Sequence, residues 1–127
     1  MSASGILQPA TVIAKTTQTL VGAIIGVEGY SFITIFLDYT KGNETGLLVV
    51  PSFLHRNEAN APEFQYGEWT PTAGVNAFVA HSFKMLATGK FHFTLDVEGV
   101  DFVKITQGGS NNDGTPTGTL AAYYTAK

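Results

Sequence analysis

The chain has no cysteine, few charges and no long apolar run, and each absence removes a class of protein. Without cysteine there is neither a disulfide framework nor a thiolate metal site, so the fold rests on packing and hydrogen bonds alone. Charged residues are 13% of the 127 positions, where a soluble domain ordinarily has about a quarter. Much of the surface is therefore Thr, Ser, Asn and Gly, or is covered by other chains. The second reading favours self-association, because few charges leave a lone monomer little to keep it soluble. The seven Lys and Arg are scattered in a chain of net charge −3, so no basic footprint exists and nucleic acid is not expected as a partner. The apolar stretches fall far short of a membrane span, and the N-terminus lacks the basic start and long apolar core of a signal peptide. The expectation is a protein with no membrane partner, made and used without export.

What the chain does have is a cassette that occurs twice. Val-Glu-Gly-Tyr-Ser-Phe-Ile-Thr-Ile at residues 27–35 returns as Val-Glu-Gly-Val-Asp-Phe-Val-Lys-Ile at 97–105. In both, a Val-Glu-Gly turn leads into an alternating strand, and each copy reads as a β-hairpin unit. Strict alternation puts Ile33, Ile35, Leu37 and Tyr39 on one face and Phe32 and Phe36 on the other, where those two need a cover of their own. Residues 91–97 alternate as cleanly, with Phe91, Phe93, Leu95 and Val97 inward. Further strands are expected at 20–27, 47–53, 64–69, 76–86 and 119–125, with hairpin connections at 41–46, 87–90 and 107–118. Pro51 demotes the end of its strand to an edge or bulge, and residues 54–74 form the longest irregular stretch, of a length that tends to be functional. The fold class is all-β: an antiparallel β-sandwich, jelly-roll-like, of roughly eight strands. Its domain spans residues 20–127, preceded by an extended N-terminal arm over 1–19 with a short edge strand near 11–15.

No catalytic or metal constellation stands out. His81 and His92 are conceivable neighbours across a hairpin at 87–90, but no acidic third ligand has a recognisable spacing, and with His55 they read as ordinary histidines. Ser82, His92 and Asp96 can be drawn as a triad, yet no nucleophile elbow accompanies them. Glu58, Glu63 and Glu68 lie in a loop that fixes no separation for glycoside chemistry. The run Ser110-Asn111-Asn112-Asp113-Gly114 lacks the acidic spacing of a calcium loop, and Gly108-Gly109-Ser110 lacks the Lys and helix of a phosphate loop. Asn43-Glu44-Thr45 fits a glycosylation sequon and is read as a hairpin turn. No cofactor, metal or enzyme activity is expected. The candidate contact residues are apolar: Ile6, Leu7, Val12 and Ile13 in the arm, Phe32 and Phe36 on the strand, and the aromatic group Phe53, Phe64, Tyr66 and Trp69. That aromatic group either caps the core or presents a surface to a protein or sugar.

The run Leu37-Asp38-Tyr39-Thr40-Lys41-Gly42-Asn43-Glu44-Thr45 and the ending Gly114-Thr115-Pro116-Thr117-Gly118-Thr119-Leu120 resemble the hairpin phrases of small bacteriophage virion proteins. The resemblance implies a non-enzymatic head or tail component, foremost a capsid decoration (cement) protein. Such a protein sits on the shell as a homo-oligomer, a trimer being the guess, with the major capsid protein or another virion protein as partner. Its place is the virion, assembled in the host cytoplasm. A tail or neck protein and a carbohydrate-binding module on Phe64, Tyr66 and Trp69 are the alternatives. Deleting residues 1–13 is expected to abolish particle binding and leave the fold intact.

Overall fold

Period-two runs of β-branched and aromatic residues favour half-buried strands, and the computed structural model, which describes residues 2–15, 18–58, 60–109 and 115–127, is built from such strands. One sheet has β1 (Ala3–Val12), β12 (Thr119–Ala126), β4 (Phe32–Thr40) and β10 (Gly89–Asp96) in that order. The second centres on β11 (Phe102–Gly109) and β5 (Leu47–Leu54). Two short strands, β2 (Thr19–Leu20) and β3 (Ile25–Gly26), lie along the free side of β11, while β6 (Phe64–Gln65) and β9 (Phe83–Met85) lie along the free side of β5. A separate hairpin, β7 (Gly67–Thr72) with β8 (Val75–Ala80), is inserted between β6 and β9. Counting β2 with β3 as one interrupted strand, the sheets run β1-β12-β4-β10 and β2/β3-β11-β5-β9, which is a jelly-roll sandwich of eight framework strands plus an insertion.

That topology corrects the hairpin expectations. The connections at 41–46, 87–90 and 107–118 each carry the chain from one sheet to the other, so the strands they join are not hydrogen-bonded neighbours. The two cassettes are likewise inter-sheet crossings. Each Val-Glu-Gly is a type II turn: Gly29 and Gly99 sit at φ of 84° and 79°, and the N–H groups of Tyr30 and Val100 donate to the carbonyls of Val27 and Val97 at 3.0 and 2.9 Å. The turns also bind each other reciprocally. Val27 N–H donates to Asp101 O and Val97 N–H to Ser31 O, both at 2.8 Å, equivalent positions of the two copies. Repetition in sequence thus becomes a local two-fold at one end of the sandwich.

The N-terminal segment is not a free arm. Its strand is β1, paired antiparallel with β12 from Ala3↔Ala126 to Val12↔Thr119, whereas near residue 15 only a single bridge to Gly109 forms. Ile13 N–H donates to Gly118 O at 3.0 Å, and Ala14 N–H to the side-chain oxygen of buried Gln107 at 3.2 Å, stitching the passage between sheets.

Pro51 does not mark an edge either. The carbonyls of Asp101 and Ile105 accept from Val27 and Val21 at 2.8 Å, so odd residues of β11 bond toward β2/β3 and even residues bond toward β5. In that register the nitrogen of Pro51 faces the far side of β5, in the gap between Val49, paired to β9, and Ser52, paired to β6. The proline costs no ladder bond there, and the β7–β8 hairpin leaves the sandwich through the same gap.

The core between the sheets contains Ile33, Ile35, Leu37, Tyr39, Val49, Leu95, Val103, Ile105 and Leu120, all at most 2% exposed. At its β9/β10 side Phe83 stacks on Phe93 with ring centres 4.0 Å apart, and Tyr66 and Phe53 continue the aromatic column at 6.4 and 6.0 Å steps.

Candidate functional site

The inserted hairpin is the most exposed ordered element. Its turn is Ala73-Gly74, with φ of 51° and 80°, the two positive values of a type I′ turn. Because Thr72↔Val75 closes that turn, the next pair, Pro71↔Asn76, is a non-hydrogen-bonded one, and Pro71 again loses nothing. Trp69↔Phe78 falls two pairs further on, in the same class of site where side chains come closest, and the two rings meet edge to face at 5.2 Å. Trp69 and Val75 are each 67% exposed, and Phe78 and Val79 are also in solvent. At the base His81 N–H donates to Tyr66 O at 2.8 Å, and the His81 ring lies 3.4 Å from Glu68. Beneath the base is a cleft of about 390 Å³ between the hairpin and the outer side of β5, lined by Val50, Pro51, Ser52, Glu63, Gln65, Tyr66 and Ala80–Ser82. On its floor Ser52 Oγ donates to Glu63 at 3.1 Å, and Lys104 reaches the same carboxylate at 3.4 Å.

The outer face of the first sheet is a second surface. Register across its four strands lines up Ile6, Tyr123, Phe36 and His92 in one row, bounded by the row Thr125–Thr34–Thr94 on one side and Ala121–Asp38–Lys90 on the other. Thr34 and Thr94 share a hydroxyl hydrogen bond of 2.8 Å, Lys90 meets Asp38 at 3.1 Å, and Phe36 lies against His92 at 6.1 Å between ring centres. Phe32 and Phe36 stay open to solvent, uncovered by residues 2–15.

The candidate contact residues therefore divide. Ile6, Val12, Phe32, Phe36, Phe64 and Trp69 are exposed, whereas Ile13 is in the core and Leu7, Phe53 and Tyr66 pack against it. Phe64, Tyr66 and Trp69 form no common sugar platform, since Tyr66 is stacked inward on Phe83 and Phe64 lies against His55. Alternation also marked Phe78, Val79 and Tyr123 as strand residues, and only the sheet assignment reveals that their faces are solvent.

Glu44, marked in sequence only as the middle of a sequon, is a structural centre of its own. It is fully buried, accepting from the Tyr39 hydroxyl, from Gly42 N–H at 2.9 Å and from Gly118 N–H at 3.0 Å. Burial alone pushes its carboxyl up, but the hydrogen bonds from Tyr39, Gly42, its own N–H and Gly118 outweigh that and hold it at about 2. Tyr39 moves the opposite way, raised by burial and by the adjacent carboxylate. Asn43 adds bonds to Thr115 O at 3.1 Å and from Thr117 N–H at 3.0 Å. The two phrases that carried the phage resemblance thus dock on each other, and the sequon is part of this lock. A methyl group at Gly118 would collide with the Glu44 carboxylate.

The remaining polar candidates are placed apart. His92 lies on β10 of the first sheet and His81 at the foot of the hairpin, so the 87–90 connection does not pair them. His92 and Asp96 share a strand face four residues apart, roughly 13 Å by strand rise, and Asp96 accepts instead from Glu98 N–H at 3.0 Å. Glu58, Glu63 and Glu68 are tied to Arg56, Lys104 and His81 respectively. Among the described residues no three His, Asp or Glu side chains gather as a metal site. The run at 110–114, which lacks the acidic spacing of a calcium loop, lies outside the described residues.

The chain is thus a jelly-roll β-sandwich whose inserted β7–β8 hairpin leaves Trp69 and Phe78 in solvent. Neither a family model nor a curated protein matches the chain in sequence. In structure it is similar to the SPBc2 prophage-derived protein YomS, with a TM-score of 0.58 at 12% identity over 99% of this chain and 92% of that one. It is also similar to a protein of Bacillus endospore appendages described as disulfide-linked pili, at 0.51 and 9% identity over 99% and 85% of the two chains. A third likeness is to VP2 of infectious bursal disease virus in its subviral particle, at 0.51 and 7% identity, covering 99% of this chain and 32% of VP2. At these identities the likeness is one of fold.

Proposed function

We propose that this protein is a non-enzymatic virion structural component, a capsid decoration (cement) protein that binds the shell as a homo-oligomer and has the major capsid protein or another virion protein as its partner. The observation that carries the reading is the β7–β8 hairpin: a two-stranded insertion with Trp69, Val75 and Phe78 in solvent has no core of its own to serve and is shaped to be covered by another protein. The likeness to a prophage-derived protein over nearly the whole of both chains supports the setting. Linkage through disulfides, as in the pili, is closed to a chain without cysteine.

The test is co-sedimentation of purified protein with phage shells that lack it. Wild type is expected to join the shell in fixed stoichiometry, and Trp69→Ala/Phe78→Ala to stay in the supernatant with unchanged circular dichroism. Binding to tail or neck particles alone would move the assignment to those structures, and binding to a glycan array with no affinity for any particle would replace it by the carbohydrate module.

A further inference from the structure

The eight-stranded frame has four lateral edges, and three of them are blunted. β1 carries Pro9 and two register shifts against β12. The β2/β3 edge is broken into two strands of two residues, and the β6/β9 edge is split where the hairpin departs. Short, bulged and proline-bearing edges are how sheet proteins avoid pairing with other chains. β10 has none of these features. It is eight residues long, free of proline, and pairs with β4 in unbroken register from Gly89↔Tyr39 to Asp96↔Phe32.

Hydrogen-bond parity tells which of its backbone groups are open. Phe32 and Lys127 exchange both N–H···O bonds at 2.9 Å, so even residues of β4 bond to the β12 side and odd ones to β10. Val97 N–H donating to Ser31 O at 2.8 Å agrees. Through the β4/β10 register, Lys90, His92, Thr94 and Asp96 direct N–H and C=O to the open side, and their side chains stand exposed on the outer face.

We propose that this edge docks a second copy of the chain, β10 against β10 antiparallel about a two-fold axis at Phe93, fusing two four-stranded sheets into one. The sequence of the edge selects the register. With Phe93 opposite the partner's Phe93, Lys90 faces the partner's Asp96 and His92 faces the partner's Thr94, and symmetry repeats both pairs. Opposite charges then meet at both ends of the seam, and every open N–H and C=O of the four residues finds a bond. A slip of two residues sets His92 against the partner's His92 or Thr94 against the partner's Thr94, leaves three open residues paired in place of four, and in both cases separates Lys90 from the partner's Asp96. On the inner face Phe91, 39% exposed in the single chain, comes opposite the partner's Leu95 and is covered. The assembly closes at two copies, in place of the trimer expected from the sequence, and it stands on the edge itself, independent of any virion role.

Thr94→Pro tests it, because the lost N–H points away from β4 and proline is tolerated at such an edge position. Sedimentation equilibrium of the full chain is expected to give a dimer, with a dissociation constant raised about tenfold or more by Thr94→Pro and by Asp96→Lys. The double change Lys90→Asp/Asp96→Lys restores pairing above either single one, a recovery that does not depend on the proline variant folding. Amides of His92 and Thr94 become protected from hydrogen exchange as concentration rises. A monomer at all concentrations, a trimer, a dimer indifferent to Thr94→Pro when that variant is folded, or a double variant no better than the singles would each overturn the proposal.

Discussion

Glu44 is the residue on which the loop end of the sandwich turns. A carboxylate with no exposed surface is tolerated because three donors, the Tyr39 hydroxyl and the N–H groups of Gly42 and Gly118, converge on it. Glu44→Gln turns an amide N–H₂ toward those donors and is expected to cost about 2–4 kcal/mol in denaturant melts. The pH dependence has a definite sign. The folded carboxyl is held at about 2, below its ordinary 4.5, so its contribution is full above pH 4.5 and is lost as pH falls through the interval down to 2. Its size is on the order of 3 kcal/mol, and Glu44→Gln should flatten the acid limb in that interval. Tyr39 is raised, so its contribution is complete below pH 10 and declines only in stronger alkali. Gly118→Ala is expected to lower the melting temperature more than Glu44→Gln, because its methyl group displaces the carboxylate and the backbone together.

At the scale of elements, the β7–β8 hairpin is a self-contained unit. Ala73 holds a positive φ that costs a residue with a Cβ roughly 1 kcal/mol, so Ala73→Gly is expected to slow hydrogen exchange at hairpin amides several-fold while leaving the global melt unchanged. Since His81 N–H already closes the hairpin base onto Tyr66 O, replacing residues 67–80 by a short glycine turn should shift the melting temperature by only a few degrees and remove shell binding. In sequence, Thr70-Pro71-Thr72-Ala73-Gly74 reads as a break after the strand at 64–69, whereas in the structure β7 runs on through Thr72 to the Ala73-Gly74 turn. Parity sets Pro71 at a non-hydrogen-bonded site, so the proline does not interrupt the ladder.

For the whole molecule the decisive fact is that neighbours in space are distant in sequence. β12 lies between β1 and β4, so the first and last strands of the chain hold each other. Deleting residues 1–13, expected from sequence to spare the fold, instead removes a framework strand and the buried Ile13, and should unfold or aggregate the protein in a thermal melt followed by light scattering. The proposed shell contact is therefore better tested at Trp69 and Phe78, which the core does not use.

Alternation alone determined which side of each strand is apolar: Ile33, Ile35, Leu37 and Tyr39, and likewise Phe93, Leu95 and Val97, lie inward as their spacing required, because side-chain direction is a local property of an extended chain. Gly29 and Gly99 were legible for the same reason, since a tight turn demands positive φ at a single position. Strand partners were not, because both faces of a period-two pattern are compatible with any neighbour and a jelly roll sends almost every connection to the opposite sheet. Only the tertiary structure brought residues 39–44 against 115–118, turning an apparent hairpin carboxylate into a buried one. It alone decided, too, that Phe53 and Tyr66 pack against the core while Trp69, sixteen and three places further along the same aromatic run, stands in solvent.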